Sequence, residues 1–404
     1  MYQNLKYDND DVVDVMPNSD ACVPTNDYLI LRSTTEVVIQ RYVFPVQFFL
    51  GFFGNTINLV VLLSRGMRSE VTNILLSVMA FADLGLICAM LPGSLASFPI
   101  AYQSSAFRWY FYKTKLYFHT LANFFSAVST WLILVVSIER FAGIRSPMGA
   151  RHRWNFSIAV VVIIVIFLLS SLVTSWRIFA YDVLIYTICN GTQIIGHTGM
   201  ANYSWIEKST YASVYLKYGQ LVQLISTVII PIFAVAVLNV PLICFMRNRN
   251  AINNIRKTRN NFTNRRPRSN SDFCIMQRQE RKVTATVLAI VTCFTLTNAP
   301  ALVPVIMLTC GVKISDTNYS MAAHISNSIV VTGKVLNFLL FCTSSAHFRR
   351  KLLTICETII YRIKGQTPKK RSVSMYRPMV QFEQSSRRRC NELFFKIFKI
   401  LLKL

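Results

Sequence analysis

The sequence predicts an all-α membrane protein, a bundle of seven transmembrane helices with a short amphipathic eighth helix. Three observations carry this expectation. Of 404 residues, 53% are hydrophobic and only 15% charged, whereas soluble chains average about 25% charged. The mean hydropathy is +0.40. Seven separate stretches are predominantly apolar over roughly 20 residues, the length a helix needs to cross a bilayer. A net charge of +25 would suit a nucleic-acid binder, but such a protein does not carry apolar surface on this scale. Lipid, not nucleic acid, is the expected surrounding. Ten cysteines are too dilute for a disulfide-built scaffold.

The predicted spans are 43–64, 74–95, 116–138, 156–176, 219–246, 283–309 and 321–343. The seventh is the least apolar because it contains Lys334. Residues 344–362, with His347, Arg349, Arg350 and Lys351 among apolar side chains, are too charged to span and read as an interfacial helix. Residues 1–40 lack the apolar core and cleavage site of a signal peptide, so the first span is expected to act as a signal anchor. The organisation is thus an acidic N-terminus (1–40), a seven-helix domain (41–343), the amphipathic helix (344–362) and a basic tail (363–404).

Orientation follows from the placement of Lys and Arg. Thirty-two of the 43 fall in loops 1–2, 3–4 and 5–6 and the tail, which puts those on the cytoplasmic side. The N-terminus, with seven acids before residue 40, is then outside, and a plasma-membrane location is expected. The sequons at Asn190 and Asn202 fall in an outer loop and are the expected glycosylation sites; Asn155 and Asn261 also match that pattern but lie inside.

Charged residues within or at the edge of spans are functional candidates by default. Asp83 lies about 15 Å from the cytoplasmic end of the second span and Lys334 about 13.5 Å from that of the seventh, at 1.5 Å per residue. Equal depth makes them partners in a buried ion pair, against the alternative of a lysine that snorkels to the interface. Glu139-Arg140 ends the third span and Glu280 opens the sixth. An Arg shared between its neighbour and a Glu on another helix is a breakable two-state contact, although interfacial charges at helix ends are common. Pro92, Pro231 and Pro300 each free a backbone carbonyl and bend a helix.

Motifs in order along the chain add a resemblance. Gly54-Asn55, Leu76-Ser77-Val78-Met79-Ala80-Phe81-Ala82-Asp83, Glu139-Arg140-Phe141, Phe294-Thr295-Leu296-Thr297-Asn298-Ala299-Pro300 and Asn337-Phe338-Leu339-Leu340-Phe341 resemble the pattern of rhodopsin-like (class A) G-protein-coupled receptors. Thr72-Asn73-Ile74-Leu75-Leu76, the Thr-Asn-Ala-Pro turn at 297–300 and Gly333-Lys334-Val335-Leu336-Asn337 look most like nematode FMRFamide-type neuropeptide receptors. The resemblance implies a receptor for an extracellular peptide that activates a heterotrimeric G protein by outward movement of the sixth helix, with Arg140 at the coupling face. Asn55, Phe294, Asn298, Pro300, Asn337 and Phe341 are the activation-motif positions it implies. Candidates facing a ligand are His119, Ala122, Asn123, Tyr215, Tyr218, Gln223, Val305, His324 and Asn327, each of which could equally be packing or hydrogen-bonded filler.

Departures from the family are marked. Its third-span Cys falls at Lys115, so Cys189 lacks the usual partner and is expected either free or bonded to Cys22, with Cys310 as the remaining outward thiol. Asn298 replaces a Trp, Asn239 a Tyr, and Lys334 stands at the family's sodium site beside Asp83. A seven-span transporter or channel would need a polar path and an inverted repeat, and neither is visible. A retinal protein would need its Lys at Val331, one turn away. An orphan receptor for a non-peptide ligand remains the alternative within the same fold. No enzyme, cofactor or metal site is expected, because the His are scattered and no CxxC spacing occurs. In the tail, Arg387-Arg388-Arg389, the candidate acylation site Cys390 and the amphipathic stretch 393–404 suit a second membrane anchor.

Overall fold

The computed structural model describes residues 22–24, 28–31, 33–68, 70–145, 155–201, 210–238, 240, 288–304, 316–344 and 346–363. Helix α1 runs Thr34–Leu62. A π-turn at Ile39–Val43 lies just ahead of Pro45, whose missing N–H breaks the regular bonding pattern. Helix α2 spans Val71–Leu95 with Pro92 inside it, and a single turn at Pro99–Tyr102 follows. Helix α3, Ser105–Arg145, is 41 residues long. Helix α4, Phe156–Thr174, starts at Asn155, whose side chain accepts from the Ile158 N–H at 2.9 Å, a capping bond that satisfies an otherwise orphaned donor.

Beyond a turn at Trp176–Ala180 comes an antiparallel hairpin, β1 (Tyr181–Ile188) and β2 (Gln193–Met200), in register from Tyr181 opposite Met200 to Ile188 opposite Gln193. Helix α5 starts at Thr210 and continues through a π-turn at Ile225–Ile229, just before Pro231, to Leu238. The described part of α6 is Leu288–Pro304, tightened to a 3-10 turn at Ala299–Ala301 around Pro300. Helix α7 is Asp316–Ser344 and α8 is Ala346–Ile363.

Among the described residues, α1 to α5 are long and apolar enough to cross a bilayer. The architecture is the predicted helical bundle with two differences. Helix α3 starts at Ser105, well before its apolar span, and at about 60 Å is twice as long as a bilayer core is thick. Arg108, Lys113 and Lys115 end the apolar stretch without ending the helix, because the hairpin covers Phe111 and Tyr112, which are buried beside Ala96 and touch Val183, Ile185 and Ile194. The hairpin itself is the second difference. Its tip turns through Cys189, Asn190 and Gly191, all at positive φ, a geometry that Asn and Gly tolerate best. Thr192 closes the tip by donating its N–H and Oγ1 to the Cys189 carbonyl at 3.1 and 2.7 Å.

The main core joins α2, α3, α5, α6 and α7. Leu75, Met79, Ala82, Val128, Leu132, Val235, Val291, Phe294 and Phe338 form one cluster, to which α8 adds Phe348 and Leu352. Gly54 lies against the Phe338 side chain, where a Cβ would stand 2.9 Å from its neighbour.

Candidate functional site

Two polar regions stand out, a cavity at the hairpin end and a charged cluster deeper in the bundle. The cavity, about 200 Å³, lies between α1, α2, α3 and α7. Its walls include His119, Ala122 and Asn123 of α3 and His324 and Asn327 of α7, all singled out from sequence. Glu36, Gln40 and Gln47 of α1 and Lys115 of α3 also line it. Glu36 Oε2 stands 3.7 Å from His324 Nε2, both partly exposed. Lower in the wall Gln47 donates to the Ser328 carbonyl at 3.0 Å and to Thr332 Oγ1 at 2.8 Å, which ties α1 to α7.

The α1 contribution was missed from sequence, though its signal was present. Glu36, Gln40 and Gln47 recur at helical spacing in a helix that is otherwise mostly apolar, so they share one face.

The α5 candidates do not reach this cavity. Tyr215 donates its hydroxyl to the Leu172 carbonyl at 2.7 Å and lies 2.9 Å from Ser175 Oγ. Gln223 accepts from Trp176 Nε1 at 2.6 Å, and Tyr218 is exposed with Lys217 near its ring. Tyr215 and Gln223 thus fasten α5 to α4 and its following turn, and none of the three expected ligand-facing residues of α5 lines this cavity. Val305 lies outside the described residues, as do Glu280, Asn202, Asn239, Cys310 and Cys390.

In the deeper cluster Asp83 and Lys334 are 0% and 2% exposed, with Lys334 Nζ 3.7 Å from Asp83 Oδ1. Ser129 of α3 bridges them: it donates to Asp83 Oδ1 at 2.7 Å and accepts from Lys334 Nζ at 2.8 Å. Asn337 donates to Asp83 Oδ2 at 2.8 Å. The ammonium also lies 5.8 Å from the Phe294 ring centroid, within cation–π range. Helices α2, α3, α6 and α7 therefore meet at one satisfied ion pair. A buried carboxylate needs such partners, because each unsatisfied oxygen carries a desolvation cost.

The remaining candidates are placed as follows. Asn55 is fully buried and accepts from Asn58 Nδ2 at 3.4 Å. Asn298 donates to the Phe294 carbonyl at 2.9 Å, within its own helix. The Pro300 carbonyl accepts from Ser326 Oγ at 2.9 Å, joining the kink of α6 to α7. Close by, Gly333 of α7 faces Thr297 of α6, leaving no room for a Cβ. Glu139 accepts from Thr72 Oγ1 at 2.7 Å, so α2 and α3 are tied at the end opposite the hairpin. Arg140 and Phe341 continue α3 and α7. Asn190 is exposed at the hairpin tip.

The hairpin is anchored to the N-terminal segment. Cys189 is bonded to Cys22, with a Cα–Cα distance of 4.5 Å, so of the two expectations for Cys189 the structure has the N-terminal bond. Lys115 stands with Nζ 5.9 Å from the Tyr112 ring.

Residues 54–347 match the family described as 7 transmembrane receptor (rhodopsin family). The chain is 31% identical over 356 residues to a Caenorhabditis elegans protein named as a G-protein coupled receptor, a match that covers 86% of this chain and 80% of that protein. It is 24% identical over 335 residues to sex peptide receptor-related protein 2 of the same nematode, covering 78% and 70%. A shorter match, 30% over 141 residues, reaches the cholecystokinin receptor of Xenopus laevis, covering 35% and 30%.

Proposed function

This chain belongs to the rhodopsin family of seven-transmembrane receptors, and from that premise we propose that it converts binding of an extracellular peptide into activation of a heterotrimeric G protein. It is a multi-pass membrane protein of a receptor family, not an enzyme family. The observation that carries the proposal is the cavity at the hairpin end, with a carboxylate and an imidazole 3.7 Å apart at its wall. Two of the relatives are named for peptides, sex peptide and cholecystokinin, which supports a peptide ligand. At about 200 Å³ the cavity is smaller than the roughly 300–1,000 Å³ of sites that enclose a whole small ligand. A peptide would therefore insert only its end.

A basic side chain at that end would compete with His324 for Glu36, which agrees with a basic, amidated, FMRFamide-like peptide. In this reading the N-terminus and hairpin are extracellular, the receptor sits in the plasma membrane, and Asn190 and Asn202 carry glycans. Ligand contacts favour a state in which α6 has moved outward about the Pro300 kink, which exposes Arg140 and the basic loops to the G protein. Glu280 restrains Arg140 until then.

The test is a peptide library applied to cells expressing the receptor, read by G-protein dissociation. Peptides with a basic residue near one end should activate it, and Glu36→Gln should raise the half-maximal concentration at least tenfold at equal surface expression. Activation by a non-peptide ligand, with no response to any peptide, would overturn the peptide reading.

A further inference from the structure

Arg108 is 2% exposed on the part of α3 that projects beyond its apolar span. Among the described residues its partners are carbonyls, a tyrosine hydroxyl and aromatic rings. Nε donates to the Ile194 carbonyl of β2 at 2.6 Å, and Nη1 donates to the Tyr28 and Tyr102 carbonyls, both at 3.0 Å. Nη2 donates to the Tyr112 hydroxyl at 3.2 Å, and the guanidinium lies 3.6 Å from the Tyr28 ring centroid. One side chain thus joins the N-terminal segment, the turn after α2, the hairpin and α3. A planar fork of donors is suited to several carbonyls at once, as an ammonium is not.

The N-terminal segment is fastened to the hairpin at further points. Cys22 is bonded to Cys189. Val23 and Gln193 exchange two hydrogen bonds of 2.9 Å. The Tyr28 hydroxyl accepts from the Ile194 N–H at 2.7 Å. Tyr28 and Leu31 are buried, and Ile30 touches the cluster of Ala96, Phe111 and Tyr112. Phe111 also forms cavity wall, and the segment leads into α1, where Glu36 lines the same cavity. Its described residues, 22–24, 28–31 and 33, therefore lie along the rim, beside the hairpin, the ends of α3 and α2, and α1.

We propose that Arg108 and the Cys22–Cys189 bond hold this segment as a fixed strap on the rim, so that the strap, and not the helices alone, sets access to the cavity. Arg108 is a positioning residue in this role: it acts on the cavity through Tyr28 and Ile194. Opening the strap matters to signalling only if a ligand uses the cavity, as proposed above. The measurement that follows needs no ligand, so the two can fail separately.

The full-length receptor is given a reporter thiol by Ala122→Cys in the cavity wall and expressed on cells. An impermeant trimethylammonium methanethiosulfonate is applied from outside, and modification of the peptide containing residue 122 is followed by mass spectrometry. Adding Arg108→Lys, which keeps the charge but not the fork, should accelerate labelling at least fivefold. Cys22→Ser with Cys189→Ser should do the same. Mature receptor bearing only the reporter, already folded at the surface, is also treated with an impermeant phosphine reductant, which is washed out before the methanethiosulfonate is added; labelling of residue 122 should again accelerate, whether or not the variants fold. Rates within twofold of the untreated reporter after reduction, or in Arg108→Lys at normal surface expression, would overturn the strap.

Discussion

Replacing Lys334 with Met removes the positive half of a pair that is wholly enclosed. Asp83 and Lys334 are 0% and 2% exposed and 3.7 Å apart. At that separation, with an effective dielectric constant of about 20, the attraction is about 4–5 kcal/mol. Breaking a buried pair from one side costs roughly 3–5 kcal/mol, because the other charge is left behind. Asp83 would keep its bonds from Ser129 and Asn337, which satisfy its oxygens without neutralising its charge. Adding Asp83→Asn removes that charge while leaving an amide oxygen to accept from Asn337. The expected order of melting temperature in detergent, and of surface expression, is wild type, then the double variant, then Lys334→Met.

Sodium supplies an independent readout. With an ammonium already beside Asp83, exchanging sodium for choline at fixed ionic strength should leave the wild-type melting temperature unchanged. Lys334→Met, with a bare carboxylate, should be stabilised by sodium. A Lys334→Met protein as stable as wild type, or a double variant no better than the single, refutes the pair as a structural element.

Three further predictions are independent of it. Glu280→Ala should raise basal G-protein signalling, because it removes a contact specific to the resting state, while Arg140→Ala should abolish signalling and spare ligand binding; unchanged basal activity at equal expression counts against the restraint. Gly333→Val drives a side chain into Thr297 and should destabilise the receptor by about 1–3 kcal/mol through overpacking, seen as a lower melting temperature. A fluorescent protein fused to residues 384–404 should collect at the inner face of the plasma membrane, since one apolar segment needs a second signal from Arg387-Arg388-Arg389 or acylated Cys390; diffuse cytosolic fluorescence, unaltered by Cys390→Ser, excludes the anchor.

What was legible in the sequence divides along physical lines. Depth in a helix is arithmetic, so the Asp83–Lys334 partnership could be read from two spans without knowing how they pack. Rotation of one helix against another is not arithmetic. Ser129 is one small hydroxyl among several on α3, and only packing turns it between the charges. The same uncertainty misdirected Tyr215 and Gln223, whose polar tips meet α4 and Trp176 in place of the cavity. The hairpin had a local signal, a β-branched and aromatic run from Val183 to Ile188 ending at Asn190-Gly191. That dipeptide also opens a glycosylation sequon, and it was read only as one. The extension of α3 left no apolar signal, because a helix covered by a hairpin need not be apolar all round.

The two lysines that depart from the family pattern are compensated through one helix. With Lys115 in place of a cysteine, Cys189 closes a ring to Cys22 over a separation of 167 residues. A bond from 189 to 115 would close a loop of 74. Loop entropy grows only with the logarithm of length, so the longer ring differs by about 0.7 kcal/mol. The exchange therefore costs little in constraint, but it moves the covalent anchor of the hairpin from α3 to the N-terminal segment. Docking onto α3 then falls to noncovalent contacts: Arg108, the Ser105 hydroxyl donating to the Thr192 carbonyl, the close approach of Gly196 to the Tyr112 ring, and the apolar packing of Phe111 and Tyr112 against the hairpin. Hydrogen bonds from a charged donor contribute about 1.5–3 kcal/mol each, enough for that task without a covalent bond. Lys334 is accommodated by Ser129, further along the same helix, and Glu139 meets Thr72 near its far end. In the proposed reading, a ligand that displaced the strap would act on the helix that also bridges the buried pair and carries Arg140.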